Sequence, residues 1–154
     1  MSRRIKNKLV LSNEITLSKL NGAESIMVHV HGAHSDEDSI VFFQNENLLY
    51  TGNIFQLSRK SNIYGLLKAI GYIISMSDDN TRILPGYGRI IDKSKLNIFY
   101  DYLKSIKDQI QERKQHGLSI EDLIKLNLLN QFRPEYLLFN LTDHELIAYI
   151  YNSM

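Results

Sequence analysis

The chain contains no cysteine, which excludes thiol catalysis, disulfides and thiolate-bound zinc. Nor has it an excess of either charge. Eighteen Lys and Arg (18) stand against 17 Asp and Glu, a formal net charge of +1. No large field would draw in nucleic acid or an anionic membrane surface, and neither is expected as a partner. Long apolar runs are missing too. Apolar stretches such as residues 69–74 around Gly71 fall far short of the ~20 residues of a membrane span. The start of the chain shows Arg3, Arg4, Lys6 and Lys8 and then alternating residues, so a secretory signal is not expected and residues 1–8 read as a solvated basic arm. Together with the absent cysteines this suits a cytoplasmic location. There is no internal repeat, low-complexity tract or convincing linker, and 154 residues have the length of one domain able to bury a real core. An apolar fraction of 44% with 23% charged residues is that of an ordinary globular protein.

What is present divides into two halves. The first reads as strands: short apolar-polar segments at 9–11 and 15–20, then a turn at Asn21-Gly22. In residues 25–31, Ile26, Val28 and Val30 share one face while Met27, His29 and His31 share the other. Segments 40–43 and 48–50 flank Gln44-Asn45-Glu46-Asn47, which predicts a hairpin loop. The second half is mostly helical. Ile63, Leu66, Leu67, Ile70, Ile73 and Ile74 form an apolar stripe at helical spacing, ended by Asp78-Asp79-Asn80. Residues 82–84 predict a short strand. Ser94 is expected to open a long helix with Leu96, Phe99, Leu103, Ile106 and Ile110 on one face, closing near Gly117. Ser119 with Asp122 and Thr142 with Glu145 have the spacing of N-terminal caps for two short helices. Strands first and helices after, without regular alternation, predict an α+β arrangement: a mainly antiparallel sheet followed by helices that cover one side.

Three motifs occur in order along this frame. Gly32-Ala33-His34-Ser35-Asp36-Glu37-Asp38 resembles the Gly-x-His-Thr-x-x-Asp loop of metallo-β-lactamase-fold hydrolases. Thr51-Gly52-Asn53 resembles that family's Thr-Gly-Asp turn, and Pro85-Gly86-Tyr87-Gly88 its Pro-Gly-His-Gly turn. The helix following the last turn, and the Gly117-Leu118-Ser119 entry into the next, are similar to the family's C-terminal region. The resemblance runs from about residue 9 to the C-terminus. It implies the C-terminal half of an αββα sandwich, whose two similar halves carry a one- or two-zinc site at the sheet edges. The first half's His-x-His-x-Asp-His loop has no separate place here. His29-x-His31-x-Ala33-His34 has that loop's spacing with alanine in place of aspartate, but the short interval from His34 to Asn53 fits the later histidine instead.

By the resemblance, two of three metal-ligand positions are altered. Asparagine at 53 replaces a bridging carboxylate by a neutral amide, and tyrosine at 87 replaces an imidazole by a phenol, which must lose a proton to ligate. The second metal position is therefore expected to be empty. His34, alone or with His29 and His31, is the candidate to hold a single Zn(II), with Asp36 or Asp38 orienting a ligand, since three imidazoles and water make a known zinc arrangement. The alternative is that His29 and His31 are ordinary strand residues, His34 only closes its loop, and no cofactor is bound. Other features are blander. Asp36-Glu37-Asp38 decorates a loop, Tyr100, Tyr102, Tyr136, Tyr149 and Tyr151 suggest packing, His116 a helix cap, and His144 carries no assigned role.

A half-fold leaves one sheet face apolar and uncovered. Val28, Val30, Val41 and Phe43 cannot all be hidden by helices, so a homodimer or a separate chain supplying the missing half is expected. Two classes of function stay open: a degenerate half-domain acting as a structural, regulatory or partner-binding module without independent hydrolase activity, or a zinc-dependent hydrolase of esters, thioesters, lactones or phosphodiesters completed by another chain.

Overall fold

The computed structural model describes residues 8–10, 15–20, 22–58, 60–129 and 141–154. A six-stranded sheet runs in chain order from edge to edge: β1 (Lys8–Val10), β2 (Ile15–Leu20), β3 (Ala23–Val30), β4 (Asp38–Phe43), β5 (Leu48–Tyr50) and β6 (Arg82–Leu84). The first four pairings are antiparallel and β5 pairs with β6 in parallel. A parallel neighbour requires a crossover, here α1 (Ile63–Met76). After β6 come α2 (Lys93–Gln115), α3 (Ile120–Lys125) and α4 (Asp143–Asn152).

The register sorts the strand residues into two faces. Val28 lies opposite Ile40, Phe42 opposite Leu49, and Leu49 opposite Ile83. Val28, Ile40, Leu49 and Ile83 are buried in one core with Ile63, Leu66, Ile70 and Ile73 of α1 and Leu96, Phe99, Leu103, Ile106 and Ile110 of α2. Each such Ile or Leu contributes about 1.5–3 kcal/mol by leaving water. Intervening positions point the other way. Met27 lies opposite Val41, Val41 opposite Tyr50, and Tyr50 opposite Leu84. Phe43 lies opposite Leu48 in the next row. Met27, Val41, Phe43, Leu48 and Leu84 are half-buried and stand outside the core, and Tyr50 is exposed. Among the described residues, helices cover one face of the sheet and leave the other open. Val28 and Val30 belong to the covered face, whereas Val41 and Phe43 belong to the open one.

The helix stripes agree with the spacing, except that Leu67 and Ile74 of α1 are half-buried while Gly65 and Ala69 are buried. Several boundaries differ from expectation: β3 runs over Ala23–Val30 rather than 25–31, and β4 begins at Asp38 rather than at 40. The cap of α2 is Asp92, whose carboxylate accepts from Lys95 N at 2.8 Å, so the helix starts before Ser94. Aspartate is as good a cap as serine and comes first in the chain. Lys8 opens β1 rather than belonging to an arm; Arg3, Arg4, Lys6, Asn21 and Tyr136 lie outside the described residues.

Candidate functional site

The three motif segments meet at one end of the sheet. The loop between β3 and β4 carries His34 and is organised by Asp38. One oxygen of its carboxylate accepts from the backbone N–H groups of His34 and Ser35, both at 2.7 Å, and the other from Ser35 Oγ at 3.1 Å. The same loop docks on the start of α1. The Gly32 carbonyl accepts from Asn62 N at 2.8 Å, and the Asn62 side chain caps α1 by accepting from Gly65 N at 2.8 Å. Helix and loop approach so closely that a Cβ on Gly65 would lie 2.5 Å from Gly32 O and 2.6 Å from His31 O.

The segment after β5 then folds back towards His34. Ile54 N donates to Thr51 O and Gln56 N to Asn53 O, at 3.3 and 2.8 Å, and the Gln56 carbonyl meets His34 Nδ1 at 2.6 Å. Ser58 Oγ donates to the His34 carbonyl. A carbonyl only accepts, so Nδ1 carries the proton, which in a neutral ring leaves Nε2 as the lone-pair nitrogen of this half-buried imidazole. On the other side, Thr51 N donates to Leu84 O at 3.0 Å and Gly86 N to Gly52 O at 2.7 Å. A Cβ on Gly86 would stand 2.7 Å from Gly52 O and 3.0 Å from Asn53 Oδ1, which is why the second turn needs glycine there. Tyr87 follows directly, with 68% of its surface exposed.

His34, Asn53 and Tyr87 therefore sit on three segments that the fold ties together. His29 and His31 do not join them as a metal-binding group. His29 Nδ1 pairs with Ser39 Oγ at 3.2 Å across β3 and β4, and His31 Nδ1 meets the Asp36 carbonyl at 2.8 Å. Among the described residues no three or more His, Asp or Glu side chains are grouped to hold a metal ion. Asp38 spends both oxygens on its own loop, and Asp36 and Glu37 are exposed.

Sequence reading missed Gln56 and Ser58, which clamp His34 from 22 and 24 positions away. Neither forms a motif, and a polar residue in a loop gives no signal of its own. The blander candidates fall as read. His116 caps α2, its Nδ1 meeting the Glu112 carbonyl at 2.8 Å. His144 is exposed in the first turn of α4. Tyr149 packs on the core, where burial pushes its phenol up to about 12.

No protein-family model and no curated protein matches the sequence. Solved structures do match. A double mutant of the sec-alkyl sulfatase PisA1 superposes with a TM-score of 0.77 at 8% identity, over 94% of this chain and 26% of that one. A metallo-beta-lactamase from Pontibacter korlensis gives a TM-score of 0.50 at 16% identity, over 60% of this chain and 47% of that one. The chain has a metallo-β-lactamase-like fold. It spans about a quarter of the sulfatase and, in its matched part, about half of the lactamase, as a half of the fold would.

The fold implies zinc, and zinc is held by imidazole, thiolate or carboxylate donors. Here the junction offers one imidazole, a neutral amide and an exposed phenol. That donor set does not fit a one- or two-zinc site.

Proposed function

We propose that the chain is a degenerate metallo-β-lactamase-like half-domain that acts as a partner-binding or structural module and has no hydrolase activity of its own. The observation that carries this reading is the open sheet face. Met27, Val41, Phe43, Leu48 and Leu84 lie on it outside the core, with Tyr50 40% exposed beside them. Apolar surface of this kind gains free energy by meeting another surface. A second copy is the partner of choice, because a net charge of +1 puts little repulsion between copies and a twofold pairing closes on itself. Sedimentation equilibrium over a wide concentration range tests it. A dimer that dissociates on dilution is expected, and a monomer at every concentration would leave only a separate chain as partner. The second reading is a zinc-dependent hydrolase of an ester, thioester, lactone or phosphodiester whose site another chain completes. It is favoured by His34, whose ring is oriented through Nδ1 as second-shell carbonyls orient zinc ligands.

A further inference from the structure

We infer that the three-segment junction takes no zinc as it stands, that hydrogen bonds within the chain do the holding a metal would do, and that a carboxylate at 53 with an imidazole at 87 would restore a site around His34. Zinc that bridges separate loops contributes folding free energy directly, and a site that depends on it loosens when the metal is removed. Here every segment has a tie of its own. Asp38 fixes the His34 loop from within, Gln56 and Ser58 hold it to the segment after Asn53, and Gly86 N fastens the last turn to Gly52 O. None of these ties needs a cation. The same ties leave the junction poorly supplied with ligands. The Asp38 carboxylate is used, and His29 and His31 pair elsewhere. Among the described residues of the junction, His34 Nε2 is what remains as a good zinc donor. Asn53 brings no charge, and Tyr87 is an exposed phenol.

The position of Asn53 nonetheless suits a ligand. Its Oδ1 already lies against Gly86, next to Tyr87 in the chain, and its carbonyl is bonded to Gln56, the residue that orients His34. A carboxylate at 53 and an imidazole at 87 would add two donors of the right chemistry to a frame already in place. The inference does not rest on the partner reading, since a dimer that binds zinc would overturn it and leave that reading standing.

Native mass spectrometry of the full chain, with and without zinc, reads the stoichiometry, and melting curves in zinc and in chelator read the linkage, because a metal that binds only the native state raises its melting temperature. The wild-type protein should carry no zinc and melt at the same temperature in both. The double variant Asn53→Asp, Tyr87→His should carry about one zinc per chain and melt higher in zinc than in chelator. Adding His34→Asn, whose amide can still donate to the Gln56 carbonyl, should abolish both effects. Zinc on the wild-type chain, lost in His34→Asn alone, would overturn the inference without reference to the double variant. A double variant that keeps its far-ultraviolet circular dichroism but takes no zinc would overturn the statement about residues 53 and 87.

Discussion

At Gly65 one absent carbon decides whether the histidine loop can dock on α1. A Cβ there would meet Gly32 O at 2.5 Å and His31 O at 2.6 Å, both backbone atoms that cannot swing aside. Six positions on in the same helix, a Cβ on Gly71 would meet nothing within 4 Å. The two glycines therefore predict opposite outcomes for one substitution. Gly65→Ala should cost about 1–3 kcal/mol, as overpacking does, while Gly71→Ala should stabilise by roughly 0.5–1 kcal/mol through helix propensity. Urea unfolding of the two variants checks this, and equal shifts of the same sign would contradict it. In the sequence both are merely glycines inside an apolar helical stripe. What separates them is the path of a loop some 30 residues earlier, which no local pattern carries. His34 was legible as a candidate because it falls within a motif. The atoms that orient it, on Gln56 and Ser58, were not.

Between elements, the clearest tie joins the β4–β5 hairpin to the turn after α1. Asn47, held at a positive φ of 46°, donates from Nδ2 to Asp78 Oδ1 at 2.9 Å and accepts from Thr81 Oγ1 at 2.7 Å. Asp78 Oδ1 also accepts from Asn80 N at 2.9 Å and lies 3.0 Å from Thr81 Oγ1, whose one hydroxyl proton is shared between Asp78 and Asn47. The Asn47 amide, followed by these other donors, holds the Asp78 carboxyl below the usual carboxylate range. A depressed carboxylate stabilises the fold above its unfolded pKa of ~3.9 and loses that contribution as pH falls through the lower folded value. Wild type should therefore exceed Asp78→Asn in melting temperature by a constant margin near neutrality, and the margin should shrink below about pH 4. A margin unchanged at pH 3 would remove the argument. Elements themselves were well marked in the chain. Ser119 with Asp122 and Thr142 with Glu145 form the capping boxes their spacing predicts, since a box is written within four residues. The strand at 82–84 was equally visible, but its parallel pairing with β5 was not, because pairing direction is set by where α1 returns the chain.

At the scale of the whole molecule, the described residues commit one sheet face to helices and leave one uncommitted, and neighbouring rows of the same strands tell them apart. Val28 is 4% exposed and packs in the core opposite Ile40, while Val41, on the adjacent row, is half-buried on the open face opposite Met27. Strand alternation made both rows visible in the sequence, but not which of them the helices would cover. That choice depends on the side to which the chain turns after β5, and it decides what a charge does at each place. Val28→Lys would bury an ammonium group opposite Ile40, in the apolar core that the helices complete. It should cost more than about 4 kcal/mol and abolish folding, because no partner for the charge lies in an apolar core. Val41→Lys leaves that core untouched, so the chain should keep its circular dichroism and urea midpoint as a monomer. If the open face joins two copies, the variant should fail to dimerise, since pairing would desolvate two like charges across the interface. Sedimentation equilibrium with circular dichroism on both variants separates the cases. A Val41→Lys chain that folds and still dimerises would place the contact elsewhere on the surface. One that unfolds like Val28→Lys would mean that this row too is part of the protein's own core.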